Sequence, residues 1–352
     1  MNPGATMQYI PYPTWLSPEI IPGLPFRWYG LKYLFAFATA YLLFQWQVKK
    51  RKLTVPSDLV MNMFFWAIVG LLLGARLFST IIYDTTGRYL REPWLIFWPF
   101  GDNGQFTGFM GMSYHGGVVG AVVAIVIYCK IHKIDTLDWG DMLVQGIPLG
   151  YTFGRLGNFI NGELYGKVTD SPLGMLFPQA QALPTNLDWV VDIANKVGIA
   201  IPDGAAFINL PRYPSQLFEA FFEGIVLWLI LWFFSRTHKP FKGFSIALYM
   251  FGYGLFRFFI EYFREPDPGL GFVLKFGPKD NPPELFQSLL NFSTGQILNF
   301  LMMAGGVIVL VACKLYADRR LKAESFDPEA SLADEQAAER KKQRRKTRKK
   351  LK

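Results

Sequence analysis

The most informative stretch of this chain is residues 154–166, which read Gly-Arg-Leu-Gly-Asn-Phe-Ile-Asn-Gly-Glu-Leu-Tyr-Gly. It places four glycines, an arginine, two asparagines, a glutamate and a tyrosine directly after a long apolar run. Charged side chains in a membrane are costly and tend to be kept for function, and glycines let another backbone or a ligand approach closely. The stretch therefore predicts a polar site at the end of a membrane helix.

Apolar runs around this stretch indicate the fold class. Half of the 352 residues are hydrophobic, and the runs approach the ~20 residues that a helix needs to cross the hydrocarbon core. We expect an all-α integral membrane protein with seven transmembrane helices. The predicted segments lie near residues 27–48, 59–83, 111–130, 137–157, 215–235, 243–263 and 295–316.

The distribution of basic residues predicts the orientation. The short connections 49–58, 129–137 and 235–242 hold nine Lys or Arg in 27 positions, whereas the long connections 84–109, 158–214 and 264–294 hold eight in 114. Because cytoplasmic loops are enriched in Lys and Arg, we expect the short connections and the C-terminus in the cytoplasm. The N-terminus and the long loops then face outward, into the periplasm.

The C-terminal residues form a second predicted unit. We expect residues 1–320 to form the seven-helix catalytic domain and residues 321–352 a basic cytoplasmic tail. Residues 340–352 hold ten Lys or Arg and no acidic residue. Since the formal net charge of the whole chain is +9, the rest of the chain has a formal net charge of −1. Attraction to anionic membrane lipids explains such a tail more simply than nucleic-acid binding, and no nucleic-acid partner is expected.

Polar residues from five separate predicted spans fall at one depth, near the outward ends of their helices. This convergence indicates a common site rather than isolated polar positions. Its members are Tyr29, His115, Arg155, Asn158, Glu219, Arg257, Glu261 and Arg264.

Each of these residues also has a simpler interpretation. Arg257 and Glu261 are four residues apart and share a helix face, so they can form a purely structural ion pair. Arg155 can extend to the membrane surface from its helix end, and His115 can be an interfacial hydrogen-bonding group. Glu223, one turn beyond Glu219, can serve helix packing alone.

One further arginine is a secondary candidate for the site, and several glycines are candidates for helix packing. Arg76 is another intramembrane arginine, whose depth the sequence does not fix. Three pairs of glycines have the GxxxG spacing that is typical of close helix packing, and we interpret them in this way. The pairs are Gly70 and Gly74, Gly116 and Gly120, and Gly150 and Gly154.

The residue types of the site favour an anionic ligand. Guanidinium groups present fork-shaped donors that stay charged, which suits phosphate, and asparagine side chains and glycine amides add neutral donors. A site between lipid and outer solvent favours a phospholipid headgroup. The chain has no HExxH motif and no carboxylate metal cluster, and its two cysteines form no CxxC pair, so no metal or cofactor is expected.

The whole pattern resembles the prolipoprotein diacylglyceryl transferase family, a family of seven-span enzymes of the bacterial inner membrane. Residues 154–166 resemble its signature, and Tyr213 stands where the family usually has His. The other matching motifs are Arg27-Trp28-Tyr29-Gly30, Gly74-Ala75-Arg76, Ser113-Tyr114-His115-Gly116-Gly117, Pro214-Ser215-Gln216-Leu217, Phe256-Arg257 through Glu261 to Arg264-Glu265-Pro266-Asp267, and Ser293-Thr294-Gly295-Gln296.

The resemblance implies an activity and roles for the matching residues. The implied reaction transfers diacylglycerol from phosphatidylglycerol to the lipobox cysteine of a prolipoprotein signal peptide, at the outer leaflet, with release of glycerol phosphate. The implied catalytic residues are His115, Tyr29, Arg155 and Arg257. The implied substrate-binding residues are Arg155, Asn158, Glu163, Gly166, Arg257, Glu261 and Arg264.

Two alternative functions and two candidates for the general base fit the same residues. A different phospholipid headgroup transferase or a phosphatase would use the same arginines, and a lipid transporter would need polar residues through the full depth of the membrane. His115 is a candidate general base for the incoming thiol. An acidic residue is the alternative base.

Overall fold

A computed structural model describes residues 8–20, 28–82, 84, 86–101, 104–106, 108, 111–265, 271–276, 282, 284–286 and 288–324. Of Tyr29, Ser57 and residues 322–324 it describes the backbone alone. The predicted basic tail therefore lies outside the described residues from position 325 onward.

The described part of the chain is mostly helical. Six short strands form three two-stranded sheets, a small addition to the predicted all-α fold. The helices are α1 (Trp28–Lys50), α2 (Ser57–Leu77), α3 (Arg88–Arg91), α4 (Tyr114–Ile131), α5 (Thr136–Val144), α6 (Ile147–Ile160), α7 (Asp188–Val197), α8 (Ser215–Glu219), α9 (Leu227–Leu229), α10 (Phe244–Ile260) and α11 (Thr294–Glu324). The strands are β1 (Ile10–Pro11), β2 (Met175–Leu176), β3 (Leu183–Pro184), β4 (Phe207–Ile208), β5 (Phe272–Lys275) and β6 (Asn291–Ser293).

Four helical stretches in the described ranges are long and apolar enough to cross a membrane. They are Asp58–Ile82, Tyr114–Ile131, Ser215–Ser235 and Thr294–Leu321, and each coincides with a predicted segment. The chain is thus a helical membrane protein that crosses the bilayer more than once. The other three predicted segments lie in α1, in α5 with α6, and in the shorter apolar helix α10, so their crossing stays a prediction.

Three predicted segments are less regular than expected, and one of them, 59–83, ends in a π-helical stretch at Phe78–Ile82. The segment 137–157 is divided at Gln145 and Gly146, between α5 and α6, because Pro148 in the first turn of α6 has no amide hydrogen to continue the α5 ladder. The segment 215–235 is interrupted by π-helical turns at Ala220–Val226 and Ile230–Ser235. Such turns occur frequently at functional sites.

The three short basic connections lie together at one end of the helices. Asp138, at the start of α5, pairs with Arg51 at 3.2 Å and with Lys239 at 2.7 Å. Lys242 pairs with Asp135 at 2.6 Å. Ion pairs thus join the loops that the sequence assigns to a single membrane face.

The long connections 158–214 and 264–294 pack together at the opposite end. The β1–β2 pair is parallel, whereas β3–β4 and β5–β6 are antiparallel. Helix α7 covers a small apolar core that includes Val190, Ile193, Val197 and Leu210. The loop 158–214 therefore folds as a compact cap with its own core.

Glycines bring α2 and α4 into backbone contact, as their spacing predicts. A Cβ on Gly74 would lie 2.3 Å from the Gly116 carbonyl oxygen, and one on Gly120 would lie 2.1 Å from the Gly70 oxygen. The packing interpretation is wrong for Gly154. Outside its own stretch of α6, no described atom lies within 4 Å of the Cβ position of Gly154.

Arg76 holds the loop that follows α2. Its guanidinium group donates to the carbonyl oxygens of Leu95, Ile96 and Gly111. The three carbonyl groups belong to the long connection 84–109 and to the chain just after it. Arg76 therefore anchors this loop.

Candidate active site

Three arginines from two separate segments converge on one buried carboxylate. Glu219, at the end of α8, has no exposed surface. Its Oε2 lies 2.7 Å from Nε of Arg155 and 2.9 Å from Nη1 of Arg257, and its Oε1 lies 3.6 Å from Nη1 of Arg264. The predicted convergence of these residues is present, with Glu219 at its centre.

Local structure explains how these side chains meet. Arg155 is in the last turns of α6, Arg257 is in the last turn of α10, and Arg264 follows that helix. Glu219 directly precedes the π-helical stretch Ala220–Val226, and Glu223 lies within that stretch. Both glutamates face Arg257, with Glu223 Oε1 3.7 Å from Nη1 of Arg257. Glu223, considered above as a packing residue, therefore belongs to this cluster.

Tyr151 fixes the orientation of Arg155. Its hydroxyl accepts a hydrogen bond from Nε of Arg155 at 2.6 Å and donates to Oε2 of Glu223 at 2.5 Å. The guanidinium group also lies over the Tyr151 ring, 4.8 Å from its centroid. Within the described part of the chain, the two terminal nitrogens of Arg155 have no hydrogen-bond or ion-pair partner. They remain available to an anionic ligand.

Arg257 also forms the ion pair predicted from the four-residue spacing. Its Nη2 lies 3.3 Å from Oε2 of Glu261, and Ser293 donates to Oε1 of Glu261 at 3.0 Å. A Cβ on Gly295 would lie 2.5 Å from that oxygen, so only glycine leaves room for the carboxylate there. Glu261 thus joins α10 to the start of α11, and its simpler, structural interpretation agrees with this geometry.

A second polar group centres on Glu163. Its Oε1 accepts hydrogen bonds from Nδ2 of Asn158 at 2.7 Å and from Nδ2 of Asn161 at 3.2 Å. Nζ of Lys32, on α1, lies 3.7 Å from the same oxygen. The asparagines of the signature therefore orient the signature's own glutamate.

Gly166 closes the signature against the other long loop. It forms an isolated β-bridge with Arg264, and its amide donates to the Tyr213 carbonyl oxygen at 2.8 Å. A Cβ at this position would lie 2.2 Å from the Phe263 carbonyl oxygen. Gly166 is therefore required for close approach of two backbones, and it acts on the site by placing Arg264.

The next residue, Lys167, is a buried cation in the cap. Its Nζ lies 4.9 Å from the centroid of the Phe272 ring. Burial lowers the pKa of Lys167 to about 8, and the charges of Glu261 and Glu265 oppose this shift in part.

The remaining predicted site residues lie outside the arginine cluster or outside the described atoms. His115 is exposed in the first turn of α4, with its ring 5.9 Å from that of Tyr114. No described hydrogen bond or ion pair joins His115 to Arg155 or Arg257. Tyr29 lies in the first turn of α1, and its side chain is outside the described residues.

Tyr213 takes a packing position. Its ring packs against that of Phe263, with 5.2 Å between centroids, and its carbonyl oxygen accepts the Gly166 hydrogen bond. The departure from the family's usual His is thus accommodated by an aromatic contact beside the site.

Two residues of this geometry were missed in the sequence. Tyr151 lies four positions before Arg155, so the shared helix face was a usable signal. Lys32 was detectable as a lone lysine within the first apolar segment. Its partner Glu163 is remote in the sequence, so the pairing itself required the structure.

The charges of the whole site are formally balanced, with four basic and four acidic side chains. These are Lys32, Arg155, Arg257 and Arg264 with Glu163, Glu219, Glu223 and Glu261. In the described ranges, no group of three or more His, Cys, Asp or Glu side chains has the arrangement of a metal site. The cluster is instead suited to an anion that competes with carboxylates for arginine donors.

Fold and site together define a multi-pass helical membrane protein with an arginine–carboxylate cluster at one end of its helices. Residues 18–312 match the family described as Prolipoprotein diacylglyceryl transferase. The chain belongs to this family, which confirms the family, and with it the enzyme class of transferase, that the sequence motifs predict.

Bacterial relatives cover nearly the whole chain. Proteins named phosphatidylglycerol–prolipoprotein diacylglyceryl transferase are similar to it in several organisms. The relative from Treponema denticola is 49% identical over 329 residues, 89% of this chain and 96% of its own length. The relative from Treponema pallidum is 48% identical over 326 residues, 89% of this chain and 98% of its own. The relative from Chlorobaculum tepidum is 42% identical over 311 residues, 87% of this chain and 93% of its own.

Proposed function

We propose that this chain transfers the diacylglyceryl group of phosphatidylglycerol to the thiol of the lipobox cysteine in a prolipoprotein signal peptide. Family membership gives the reaction class. The observation that carries the assignment to this site is the position of Arg155, whose Nε is held by Tyr151 and Glu219 while its terminal nitrogens have no partner among the described residues.

The bond changes in this reaction define what the site must stabilise. The cysteine sulfur attacks the glycerol carbon that is bonded to phosphate, a carbon–sulfur bond forms, and the carbon–oxygen bond to phosphate breaks. The thiol loses its proton, and the phosphodiester leaves as glycerol phosphate, a monoester with one more negative charge. Negative charge therefore grows on the phosphate as the bond breaks.

In our proposal, Arg155 and Arg257 bind that phosphate. Guanidinium groups bind phosphate oxygens through paired donors. Because the charge on the leaving group is larger in the transition state than in the substrate, these contacts lower the barrier as well as bind the lipid. Glu219 holds both arginines in place, and Arg264 adds a third cation on the same side.

The signature supplies the neighbouring wall of the site. Asn158 and Glu163 form one hydrogen-bonded unit, and Gly166 permits the backbone contact that places Arg264. Glu261 orients Arg257. In our proposal these residues shape the substrate site and do not take part in bond making.

His115 is our candidate for the general base that accepts the thiol proton. A thiol becomes a strong nucleophile only as a thiolate, and a positioned histidine accelerates such a step by about 10²–10⁴-fold. Its exposure at the start of α4 leaves the ring accessible to an incoming peptide. Tyr29 is proposed as a further essential residue at the corresponding start of α1.

The proposed location follows from charge and topology. We place the protein in the bacterial inner membrane, with seven spans, the N-terminus in the periplasm and residues 321–352 as a cytoplasmic tail. The basic loops joined by Asp135 and Asp138 then face the cytoplasm. The arginine cluster, at the opposite end, faces the outer leaflet, where lipid and exported prolipoprotein meet.

A direct assay tests the proposed reaction. Purified protein in detergent is incubated with phosphatidylglycerol labelled in its acyl groups and with a lipobox peptide that carries either cysteine or serine. We expect label on the cysteine peptide alone. Label on neither peptide, together with release of free glycerol phosphate, would instead identify a phospholipid hydrolase.

A further inference from the structure

Lys32 is a buried lysine whose side chain faces the active site. It lies on α1 with 5% of its side chain exposed, and its ammonium group is 3.7 Å from Oε1 of Glu163. A lysine in an apolar helix is costly unless its charge is compensated. One partner of this ammonium group is the glutamate of the signature, so the cost is connected with the site.

The stem of Lys32 fits a space that Gly157 leaves open. A Cβ on Gly157 would lie 2.3 Å from Cδ of Lys32 and 3.2 Å from its Cβ. Any larger residue at position 157 would displace the lysine stem. The second glycine of the signature therefore sets the path by which the ammonium group reaches Glu163.

Glu163 needs this cation because of where its carboxylate lies. Its side chain is 42% exposed, and its Oε1 already accepts hydrogen bonds from Asn158 and Asn161. An uncompensated carboxylate here would repel a phosphate that approaches Arg155. Without Lys32, the Glu163 carboxylate would also be held less firmly, and the acceptor for the Asn158 side chain would no longer be fixed in position.

We propose that Lys32 is a positioning residue for the phospholipid substrate, which acts by holding and neutralising Glu163 beside the phosphate site. This inference rests on the proposed function and adds a residue from α1 to the substrate-binding wall. Lys32 makes no bond to the reacting atoms. Its effect is on the position of Glu163 and Asn158 and on the net charge that the lipid phosphate meets.

Methionine is the appropriate neutral replacement. Lys32→Met keeps most of the stem that packs on Gly157 and removes the charge. We expect its KM for phosphatidylglycerol to rise on the order of tenfold, as for a partly buried acceptor that loses its charged partner, while the KM for the peptide stays within about twofold. Lys32→Arg restores a cation and should recover most of the affinity for the lipid.

A double substitution separates this role from simple structural damage. If Lys32 acts through Glu163, the variant Lys32→Met with Glu163→Gln should be no worse than Glu163→Gln alone, because the carboxylate that needs compensation is gone. Lys196→Met is the matched control, since Lys196 is an exposed lysine of the cap paired with Asp170. It should leave both KM values unchanged.

The same assay distinguishes the possible failures. Normal lipid KM in Lys32→Met, or losses in the two single variants that multiply in the double variant, would overturn the role of Lys32 and leave the proposed reaction intact. If Lys32→Met raised both KM values by the same factor and also lowered the melting temperature, its role would be structural alone. That result would also overturn the proposed role of Lys32. Absence of transfer by the wild-type protein would overturn the reaction and this inference together.

Discussion

Nε of Arg155 lies 2.7 Å from Oε2 of Glu219, a carboxylate buried between helices that are far apart in the sequence. Two further arginines share that carboxylate, so its charge balances repulsion among three guanidinium groups. This contact is the centre of the site, and its removal should affect both stability and catalysis.

Glu219→Gln tests this contact directly. The substitution keeps the shape of the side chain and leaves three buried cations less compensated, a change that typically costs about 3–5 kcal/mol. We expect a lower thermal-unfolding temperature in detergent and a fall in kcat of at least about tenfold, because Arg155 loses its fixed orientation. Glu92→Gln is the control, since its pair with Arg88 is about half exposed. Equal melting temperatures for Glu219→Gln and wild type would contradict the assignment.

Arg155→Lys separates charge from geometry. Lysine keeps the positive charge but lacks the planar fork, so transition-state stabilisation should suffer more than lipid binding. We expect kcat to fall about 10²–10³-fold, with a smaller change in KM for the lipid. Arg236→Lys is the matched control, because Arg236 stacks on Trp232 in a short basic connection at the opposite end of the helices. Near-normal turnover in Arg155→Lys would exclude a phosphate-binding role for this arginine.

His115→Gln tests the proposed base. The variant should lose about 10²–10⁴-fold in kcat at every pH if the imidazole accepts the thiol proton. His238→Gln is the control, since His238 lies in an exposed turn beside Thr237. Residual activity that climbs steadily with pH would instead indicate that solvent removes the proton.

The low pKa of Lys167 makes the stability of the cap depend on pH. With a folded-state pKa of about 8 against an ordinary value of 10.5, the unfolded chain binds a proton between these values that the folded chain does not. The free energy of unfolding should therefore rise with pH from about 8 to 10.5, by up to about 3 kcal/mol.

Lys167→Met should remove this dependence. Its stabilisation relative to wild type, measured as the difference in melting temperature, is expected to be greatest below pH 8 and to disappear toward pH 10.5. Lys167→Arg, which keeps a cation across this range, should show no such rise. Parallel curves for wild type and Lys167→Met would place the titration elsewhere.

Gly74→Ala tests the contact between α2 and α4. The added methyl group would meet the Gly116 carbonyl oxygen at 2.3 Å, and backbone atoms on both sides leave little freedom to move. Overpacking of this kind costs about 1–3 kcal/mol, which should appear as a lower melting temperature in detergent. Gly305→Ala is the control, because its Cβ would meet only the end of Met250 at 3.5 Å.

The sequence predicted the membrane class and most of the charged site because both depend on local signals. Apolar length marks a helix, and Arg155, Arg257 and Arg264 are each conspicuous near the end of an apolar run. Their convergence followed from placing the helix ends at a common depth. The family motif then supplied Glu163, which the structure joins by a hydrogen bond to Asn158, already a member of the converging set.

Other features depended on packing between distant segments. Glu219 is the shared partner of Arg155, Arg257 and Arg264 because of how α6, α8 and α10 pack, which no local pattern in the sequence predicts. The contact between Lys32 and Glu163 joins α1 to the loop that follows α6. Gly154, which has no close neighbour from another described segment, shows the same limit, because GxxxG spacing describes a helix surface and not the presence of a neighbour.

In the proposed reaction, the backbone contact between α2 and α4 also restricts the paths by which a lipid reaches the arginines. At Gly70, Gly74, Gly116 and Gly120 the two helices leave less space than one methyl group. No acyl chain can pass between them at that level. The hydrocarbon tails of a substrate must reach the site through another seam of the bundle, and α2 and α4 form a closed part of the wall.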